Sequence, residues 1–378
     1  MNNGFFKDIS GYFKVINMRK KAIEKADDKI EHIDNVLTNQ KKLHQGLIKS
    51  KVLKIKKESA SSKRITFLVP EETYLIAGTY VSLKLRINEA YITRPYSVIT
   101  SPKEALESHY IEIIVKEKDD GFVSLYLNRE LKEGDEIDFE LNQGDFTYNS
   151  FRDKKKLVFI AGGVGITPFI SLTKNLLDNK SVEDITILYG IRNMEDLLAK
   201  DELESFIKQG IKVIYVVSDD PSYKGEKGFI NKTIINKYVD VKDSTFFLCG
   251  PTVMIDYLKN ELSSLDVDIR KVRSEGYINP NINTNEEYNI EVRRGLETKM
   301  IKAKSHESLL VALERNMIKH DSSCRSGRCG YCHLKVIKGE YTLLDDSYIR
   351  YSDKELNYVH SCVTYPKSDM IIQISIEE

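Results

Sequence analysis

The chain has 378 residues, which allows two or three domains, and its apolar fraction of 41% suffices for ordinary hydrophobic cores. Its 57 basic and 57 acidic residues balance, so no strong field indicates a nucleic-acid partner. No apolar run approaches the roughly 18 residues that cross a bilayer, no secretory signal is recognisable, and cysteines are few. A cytoplasmic protein without a membrane span is therefore expected.

Residues 1–50 form a predicted helical extension that is rich in lysine and contains no proline. Its apolar side chains recur every seven residues on two positions, Ile9, Ile16, Ile23, Ile30 and Leu37 on one and Tyr12, Ala26, Ile33 and Leu47 on the other. This period is typical of an amphipathic helix. The helix either packs on its own body, or docks a partner, or dimerises.

Residues 51–150 are predicted to form a small antiparallel barrel. Short apolar segments alternate there with turn signals such as Gly134-Asp135, which is the pattern of consecutive strands. The six predicted strands are Lys51–Ile55, Arg64–Val69, Tyr80–Leu85, Tyr91–Ile99, Tyr110–Val115 and Glu136–Leu141.

Residues 151–282 alternate between strand and helix patterns, which predicts a doubly wound parallel sheet. One predicted helix covers Glu195–Lys208. The predicted strands are Leu157–Ile160, Ile185–Tyr189, Val213–Val217 and Phe246–Cys249. A polar linker follows, and residues 286–378 form the last predicted domain.

Four cysteines of that last domain carry the most specific signal in the chain. Cys324, Cys329 and Cys332 follow a C-x4-C-x2-C pattern, and Cys362 follows after a gap of 29 residues. This is the plant-type [2Fe–2S] spacing. A disulfide framework would require an oxidising compartment, and a zinc site usually pairs C-x2-C with a second close pair. The four cysteines are therefore the predicted ligands of one [2Fe–2S] cluster.

Two short motifs of the barrel resemble the flavin-binding motifs of the ferredoxin–NADP reductase superfamily. The first, R-x-Y-S, is matched by Arg94-Pro95-Tyr96-Ser97, and the second, G-x-x-S, by Gly121-Phe122-Val123-Ser124. The resemblance implies that Arg94 neutralises a flavin phosphate, that Tyr96 stacks on the isoalloxazine, and that Ser97 lies near flavin N5. The second motif opens a predicted helix whose N-terminus favours phosphate, so FAD is expected rather than FMN.

The parallel sheet opens with a glycine-rich turn between strand and helix. It lacks the G-x-G-x-x-G fingerprint but resembles the G-G-x-G-x-T-P motif of the same superfamily. Thr167 is a predicted N-cap and Pro168 a predicted first helical residue. The residues expected at a pyrophosphate are Gly162, Gly163, Gly165, Thr167 and Pro168.

Further matches lie at later strand ends, where open sheets bind their ligands. They are Arg192 after the second strand, Cys249-Gly250-Pro251 after the fourth, and Glu275 and Tyr277 in the segment 273–277. The resemblance implies that Cys249, Glu275 and Ser97 surround the reacting nicotinamide and flavin atoms, with Tyr277 shielding the flavin. Asp219 and Asp220 follow the third strand and would repel a 2′-phosphate, so NADH is expected rather than NADPH.

The order of barrel, parallel sheet and cysteine domain resembles oxygenase reductases and the reductases of phenylacetyl-CoA epoxidase and hybrid-cluster protein. It implies a helical arm, a flavin-binding barrel, a nucleotide-binding α/β domain and a β-grasp ferredoxin domain. The implied function is transfer of electrons from NADH through flavin and the cluster to a downstream redox protein. Two alternatives stay open, namely an adaptor subunit without independent turnover and a scaffold organised around the helical arm.

Overall fold

The computed structural model describes residues 4–25, 45–87, 90–118, 121–182, 184–277, 282, 284–344 and 348–375, and it divides into two compact units, residues 1–44 and 45–378. The first unit contains helix α1 (Gly4–Glu24), on which Tyr12, Met18 and Ile23 are exposed. The later positions of the predicted seven-residue pattern, from Ala26 to Leu37, lie outside the described residues. Among the helices described, none is long and apolar enough to span a membrane.

The second unit begins with six antiparallel strands that form the predicted barrel. Their order in the sheet is β4-β3-β6-β1-β2-β5, and a bridge between Val98 and Ile113 joins the end of β4 to β5. Strand β1 begins four residues before the predicted barrel start at residue 51. The strands are β1 (Leu47–Ser59), β2 (Ser62–Leu68), β3 (Tyr80–Ile87), β4 (Ala90–Ser97), β5 (Tyr110–Lys116) and β6 (Glu136–Gln143), with helices α2 (Pro102–Ser108) and α3 (Phe122–Arg129).

A parallel sheet of order β10-β9-β8-β7-β11-β12 follows, as predicted. The chain winds outward from β7 in one direction and then returns to β11 on its other side, so the crevice between β7 and β11 is the switch point where such sheets bind ligands. The strands are β7 (Lys156–Gly162), β8 (Asp184–Ile191), β9 (Lys212–Val217), β10 (Glu226–Lys227), β11 (Ser244–Pro251) and β12 (Val272–Tyr277). The helices are α4 (Thr167–Asn179), α5 (Lys200–Lys208), α6 (Lys232–Tyr238) and α7 (Thr252–Ser263).

Two predictions about helix starts in this sheet were wrong. The predicted helix Glu195–Lys208 begins only at Lys200, because Ala199 has a left-handed backbone (φ 53°) and donates its N–H to the Glu58 carboxylate of the barrel at 2.7 Å. Thr167 is not an N-cap, because it already has helical backbone angles and its hydroxyl donates to the Val164 carbonyl at 2.8 Å. A 3-10 turn (Gly163–Ile166) precedes α4, and Pro168 is therefore its second residue.

The C-terminal part, here called the ferredoxin unit (residues 284–375), is built on a five-stranded sheet of order β14-β13-β19-β15-β17. Helix α8 (Leu309–Arg315) packs Leu309 and Leu313 into the core of that sheet. The strands are β13 (Glu287–Arg294), β14 (Glu297–Lys304), β15 (His333–Lys338), β16 (Tyr341–Leu343), β17 (Tyr358–His360), β18 (Thr364–Pro366) and β19 (Met370–Ile374), with a short helix α9 (Tyr351–Glu355).

A few residues from the barrel and its flanking segments join the hydrophobic core on one face of the parallel sheet. Phe146, just after the barrel, packs against Phe169 of α4 and Phe247 of β11 at ring distances of 5.7 and 5.4 Å. Beside this core, the buried guanidinium of Arg64 on β2 pairs with Glu58 and with Glu202 of α5. Apolar packing and ion pairs therefore hold the barrel and the parallel sheet against each other.

Candidate redox site

The loop Cys324–Cys332, here called the cluster loop, connects α8 to β15 and has the backbone that a thiolate-lined turn requires. Gly327 and Gly330 both have φ of 76°, and Arg325 has φ of 52°. Left-handed angles of this kind favour glycine and turn the chain sharply. The N–H groups of Ser326 and Cys329 consequently point at the Cys324 sulfur, at 3.5 and 3.3 Å.

The four cysteine thiols form two pairs. Cys324 and Cys329 share a hydrogen bond, and so do Cys332 and Cys362. The bond from Cys329, together with the loop N–H groups, lowers the pKa of Cys324 to about 4. The main chain joins the second pair, because Ser361 donates its N–H to the Cys332 carbonyl at 2.9 Å.

Two thiol pairs fit a [2Fe–2S] cluster, in which each iron takes two protein ligands. Within the described ranges, no three His, Cys, Asp or Glu side chains converge as they would on a single metal ion. Cys332 and Cys362 are buried, whereas Cys329 is exposed. One end of the site is therefore enclosed, and the other is exposed to solvent.

The parallel sheet brings Cys249 and Glu275 side by side, because β11 and β12 pair in register at these two residues. Cys249 is buried, and burial first, then Glu275, raise the pKa of its thiol. Burial also raises the pKa of Glu275 to about 7, against the opposing effect of Arg328. The Glu275 Oε2 atom is shielded from solvent and has no hydrogen-bond partner among the residues that the structure describes, which is expected of a polar group that awaits a ligand.

Tyr80 connects this pair to the barrel and to the ferredoxin unit. It pairs with Ser97 across β3 and β4, and its ring lies beside Gly144 and near the Glu275 carboxylate. Its hydroxyl shares a hydrogen bond with Ser323, which immediately precedes the first cluster cysteine, and burial raises the pKa of Tyr80 to about 12. Tyr80 therefore links the surroundings of Cys249 and Glu275 to Ser97 of the barrel and to the cluster loop.

The flavin motif on β4 faces the ferredoxin unit. Arg94 donates from Nη1 to both carboxylate oxygens of Glu314 on α8, at 3.2 and 3.0 Å. Arg325 of the cluster loop donates to the same carboxylate at 2.6 and 3.0 Å. Burial and the neighbouring Arg325 lower the pKa of Arg94 to about 10, and burial raises that of Tyr96 to about 12.

Two guanidinium groups share one carboxylate here, which leaves one positive charge in a shielded place. Such a charge is costly unless an anion completes the group. A flavin phosphate would supply that anion, and the residues present therefore fit the flavin that the β4 motif implies. Pro95, between Arg94 and Tyr96, pairs with Ser82 of β3 and keeps the motif on the strand.

The second flavin motif opens α3, as predicted. Gly121 is the residue before the helix, and Val123 is buried in the barrel core. The Ser124 hydroxyl lies against the turn, donating to the Gly121 carbonyl at 3.3 Å and accepting from the Lys118 N–H at 3.2 Å. A Cβ on Gly121 would lie 2.2 Å from this hydroxyl oxygen, so a larger residue there would displace the Ser124 side chain.

The glycine-rich turn after β7 lies at the switch point of the sheet. A Cβ on Gly165 would lie 2.2 Å from the Cys249 carbonyl oxygen, and one on Gly162 would lie 2.3 Å from the Met254 sulfur. Gly163 (φ 54°) faces open space instead. Gly162 and Gly165 thus let the turn pack against β11, where Gly250 and Pro251 follow Cys249, while Gly163 leaves its face free for a ligand.

The segment that is predicted to select NADH over NADPH lies at the end of β9. Asp219 is exposed, and its N–H donates to the Arg192 carbonyl at 2.8 Å, which places both residues at the same edge of the sheet. Asp220 is used locally, because its carboxylate accepts from the N–H and the hydroxyl of Ser222 at 2.9 and 2.5 Å. The Tyr277 backbone ends β12 opposite Pro251, but its side chain lies outside the described residues.

Five site residues were not predicted from the sequence, namely Tyr80, Glu314, Ser323, Arg325 and Arg328. Two of them carried a signal, because Arg325 and Arg328 are long charged side chains inside a tight cysteine loop. Tyr80, Glu314 and Ser323 carried none, since their contacts join residues far apart in the chain.

This combination defines a class of protein, a reductase that links a pyridine nucleotide, a flavin and an iron–sulfur cluster. Matches to three family models and to a relative that is 30% identical show that the chain belongs to the ferredoxin–NADP reductase superfamily and is an NAD(P)H-dependent oxidoreductase, as its motifs predicted. Family models match in the same order, an oxidoreductase FAD-binding domain over residues 49–148, an oxidoreductase NAD-binding domain over 159–260 and a 2Fe-2S iron-sulfur cluster binding domain over 295–367. These matches confirm the predicted cofactors.

Some known proteins resemble most of the chain, and others resemble a little more than half of it. The NADH oxidoreductase HCR of Escherichia coli is 28% identical over 304 residues, which cover 78% of this chain and 88% of that protein. NADH-cytochrome b5 reductase 1 of Aspergillus oryzae is 30% identical over 231 residues, or 57% of this chain and 77% of that protein. The solved structure of phthalate dioxygenase reductase shares the fold, with a TM-score of 0.66, 22% identity and coverage of 88% and 98% of the two chains.

Proposed function

We propose that this chain takes electrons from NADH and delivers them, one at a time, to a separate redox protein. Bound FAD supplies acceptance of a hydride and release of single electrons, and a bound [2Fe–2S] cluster supplies single-electron exchange. The observation that carries the proposal is the contact between the cluster loop and the nicotinamide junction, here defined as Cys249, Glu275 and the neighbouring Tyr80. Arg328 donates a hydrogen bond to the Ser274 carbonyl at 2.8 Å, and Ser323 shares a hydrogen bond with the Tyr80 hydroxyl.

The proposed roles of the residues follow from their positions. Ser97, Cys249 and Glu275 surround the reacting atoms, and the shielded Glu275 Oε2 offers an unused acceptor there. Arg94 and Tyr96 hold the phosphate and the ring of the flavin, and the N-terminus of α3 offers further N–H donors. The glycine turn at residues 162–165 receives the nucleotide pyrophosphate. The proposed domains are residues 51–150, 151–282 and 286–378.

NADH is the proposed donor. The edge beside Arg192 carries the exposed Asp219 carboxylate, which a free 2′-hydroxyl satisfies and a 2′-phosphate does not. Two of the relatives described above are named for NADH, which agrees with this choice.

The acceptor is proposed to be a separate protein that meets the exposed end of the cluster site. Cys329 and the neighbouring Tyr331 are both exposed, so an electron can leave there. Phthalate dioxygenase reductase is described as a modular structure for electron transfer from pyridine nucleotides to [2Fe–2S], and its name pairs it with a dioxygenase. We place the exchange in the cytoplasm, where the four thiols stay reduced until they bind iron.

Steady-state oxidation of NADH by the purified, cofactor-loaded chain tests the proposal. With an artificial one-electron acceptor, we expect rapid turnover. Without an acceptor, under anaerobic conditions, we expect NADH to bleach the absorbance of both flavin and cluster. Absence of NADH-dependent flavin reduction in a fully loaded sample would contradict the proposed function and favour the adaptor alternative.

Helix α1 is proposed to help deliver electrons to the partner protein and to take no part in the reaction with NADH. It exposes Tyr12, Phe13, Val15, Met18 and Ile23, which is an apolar surface suited to a partner or to a second copy. Deletion of residues 1–44 tests this role, because the deletion ends before β1 begins. We expect unchanged artificial-acceptor activity and a loss of delivery to the natural partner or of the dimer. Unchanged delivery and oligomeric state would refute it.

A further inference from the structure

The carboxylate of Glu314 lies between the flavin site and the cluster loop. It is carried by α8 of the ferredoxin unit, and its side chain is only 3% exposed. Arg94 approaches it from barrel strand β4, and Arg325 approaches it from the cluster loop, immediately after Cys324. These guanidinium groups are 15% and 10% exposed, so the whole group is shielded from solvent.

Further hydrogen bonds of Arg94 and Arg325 join the barrel to the ferredoxin unit. Arg325 donates from Nη1 to the Thr93 carbonyl of β4 at 3.0 Å, and Arg94 donates to the same carbonyl at 3.0 Å. Arg325 also meets the Glu314 carboxylate with two nitrogens, the bidentate geometry that is strongest and most directional. One carboxylate thus joins a flavin-motif arginine to a residue bonded directly to a cluster ligand.

The charges of the two arginines explain why the Glu314 carboxylate stabilises this contact. Burial alone would raise the pKa of Glu314, but Arg325 and Arg94 reverse this effect and hold the pKa below its usual value. Without the carboxylate, two buried guanidinium groups would face each other, and their repulsion already contributes to the lowered pKa of Arg94. Removal of one partner from such a buried group is strongly destabilising.

We propose that Glu314 is a positioning residue that docks the ferredoxin unit on the barrel and so sets the distance between flavin and cluster. This inference rests on the proposed function, because it concerns the second of the two electron-transfer steps. Hydride transfer at Cys249 and Glu275 does not depend on Glu314, whereas transfer from flavin to cluster does. Electron-transfer rates fall steeply with distance, so a small separation of the two units has a large effect.

The decisive experiment separates the two steps by anaerobic stopped-flow of Glu314→Gln, with flavin and cluster followed at their own wavelengths. We expect transfer from flavin to cluster to slow about tenfold or more relative to flavin reduction by NADH in the same sample, because a buried charge group loses its shared partner. Titration of FAD into the flavin-free protein should give an affinity equal to or tighter than wild type, since the positive charge beside the phosphate increases.

Three matched variants make the outcome specific to this carboxylate. Glu307→Gln is the control, because Glu307 is also paired with an arginine, Arg315, but within the ferredoxin unit itself. The double variant Glu314→Gln/Arg325→Gln removes the opposed charge and should restore much of the lost rate, which a purely structural loss would not do. Glu314→Asp keeps the charge on a shorter stem and should be intermediate, which tests the proposal should Glu314→Gln not fold.

The EPR signal of the reduced cluster, unchanged in each variant, verifies that the cluster is loaded. A wild-type rate of flavin-to-cluster transfer in Glu314→Gln would overturn the inference while leaving the proposed function intact. Additive losses in the double variant, or a weakened FAD affinity with normal internal transfer, would equally overturn it. A wild-type protein whose flavin NADH does not reduce would instead refute the proposed function.

Discussion

Arg328 of the cluster loop donates a hydrogen bond from Nη1 to the carbonyl oxygen of Ser274 at 2.8 Å, and so reaches the strand that carries Glu275. Its positive charge lowers the pKa of Glu275, against the effect of burial, and also lowers the pKa of the Cys249 thiol. Because Arg328 stands between Gly327 and Cys329, the conformation of the cluster loop bears directly on the electrostatics of the nicotinamide junction.

The pH dependence of hydride transfer is the first consequence. Burial raises the pKa of Glu275 to about 7, so its carboxyl group is neutral below that pH and charged above it. Hydride transfer leaves a positive charge on the nicotinamide, which a nearby carboxylate stabilises. We expect the rate of flavin reduction by NADH to rise with pH through about 7 in wild type, and to be lower and flat in Glu275→Gln.

Arg328→Ala should shift that profile. Arg328 favours the charged form of Glu275, so its removal is expected to move the inflection to higher pH and to slow the reaction at pH 7. Arg350→Ala is the matched control, since Arg350 is an exposed arginine of the same unit that pairs with Asp353. An inflection that stays in place in Arg328→Ala, or one that persists in Glu275→Gln, would remove this pair from the reacting site.

Replacement of a cluster cysteine tests the ligand set. We expect Cys362→Ser to abolish the rhombic EPR signal of the reduced protein, because the pair with Cys332 loses one of its two thiolates. Cys249→Ser should leave the signal intact, since Cys249 lies on the parallel sheet. Iron content per chain provides the second readout. Full iron and an unaltered signal in Cys362→Ser would show that another residue ligates the cluster.

Loss of the Arg94 side chain should weaken flavin binding. A charge-assisted hydrogen bond to a phosphate contributes roughly 1.5–3 kcal/mol, which corresponds to a change in FAD affinity of about tenfold to a hundredfold. The measurement is FAD titration of flavin-free Arg94→Ala. Lys84→Ala is the control, because Lys84 is a cation on the adjacent strand β3 that pairs with Glu140. Equal affinities in Arg94→Ala and wild type would assign Arg94 to docking alone.

Features that depend on local patterns were predicted correctly from the sequence. All six barrel strands and the four named strands of the parallel sheet alternate or run apolar in a way that short windows reveal. The cysteine loop is likewise local, since three of the four thiols lie within nine residues. The fourth, Cys362, was found because its spacing belongs to a recognised pattern.

The sequence was insufficient where a distant residue decides the local structure. The helix predicted from Glu195 starts five residues late because Glu58, 141 residues away, accepts the Ala199 N–H. Glu314 is separated from Arg94 by 220 residues, and nothing in the helix that carries it distinguishes it from a solvated glutamate. Such contacts arise only when the barrel, the parallel sheet and the ferredoxin unit pack together.

The choice between NADH and NADPH now depends mainly on one carboxylate. Asp220 already accepts two hydrogen bonds from Ser222, which lower its pKa and hold it in the turn. Asp219 is exposed beside Arg192 and is the carboxylate available to a ribose. A 2′-phosphate of charge near −2 would be repelled there, whereas a free 2′-hydroxyl would donate to the carboxylate.

We therefore expect wild type to favour NADH over NADPH in kcat/KM by at least about tenfold, or about 1.4 kcal/mol, and Asp219→Ala/Asp220→Arg to narrow that gap. Asp219→Ala alone should account for most of the change. Ser222→Ala is the control, because it disturbs the turn that Asp220 holds without altering any charge. Should the wild-type protein use both nucleotides equally well, or should Ser222→Ala shift the preference as much as Asp219→Ala, the carboxylate of Asp219 does not meet the ribose.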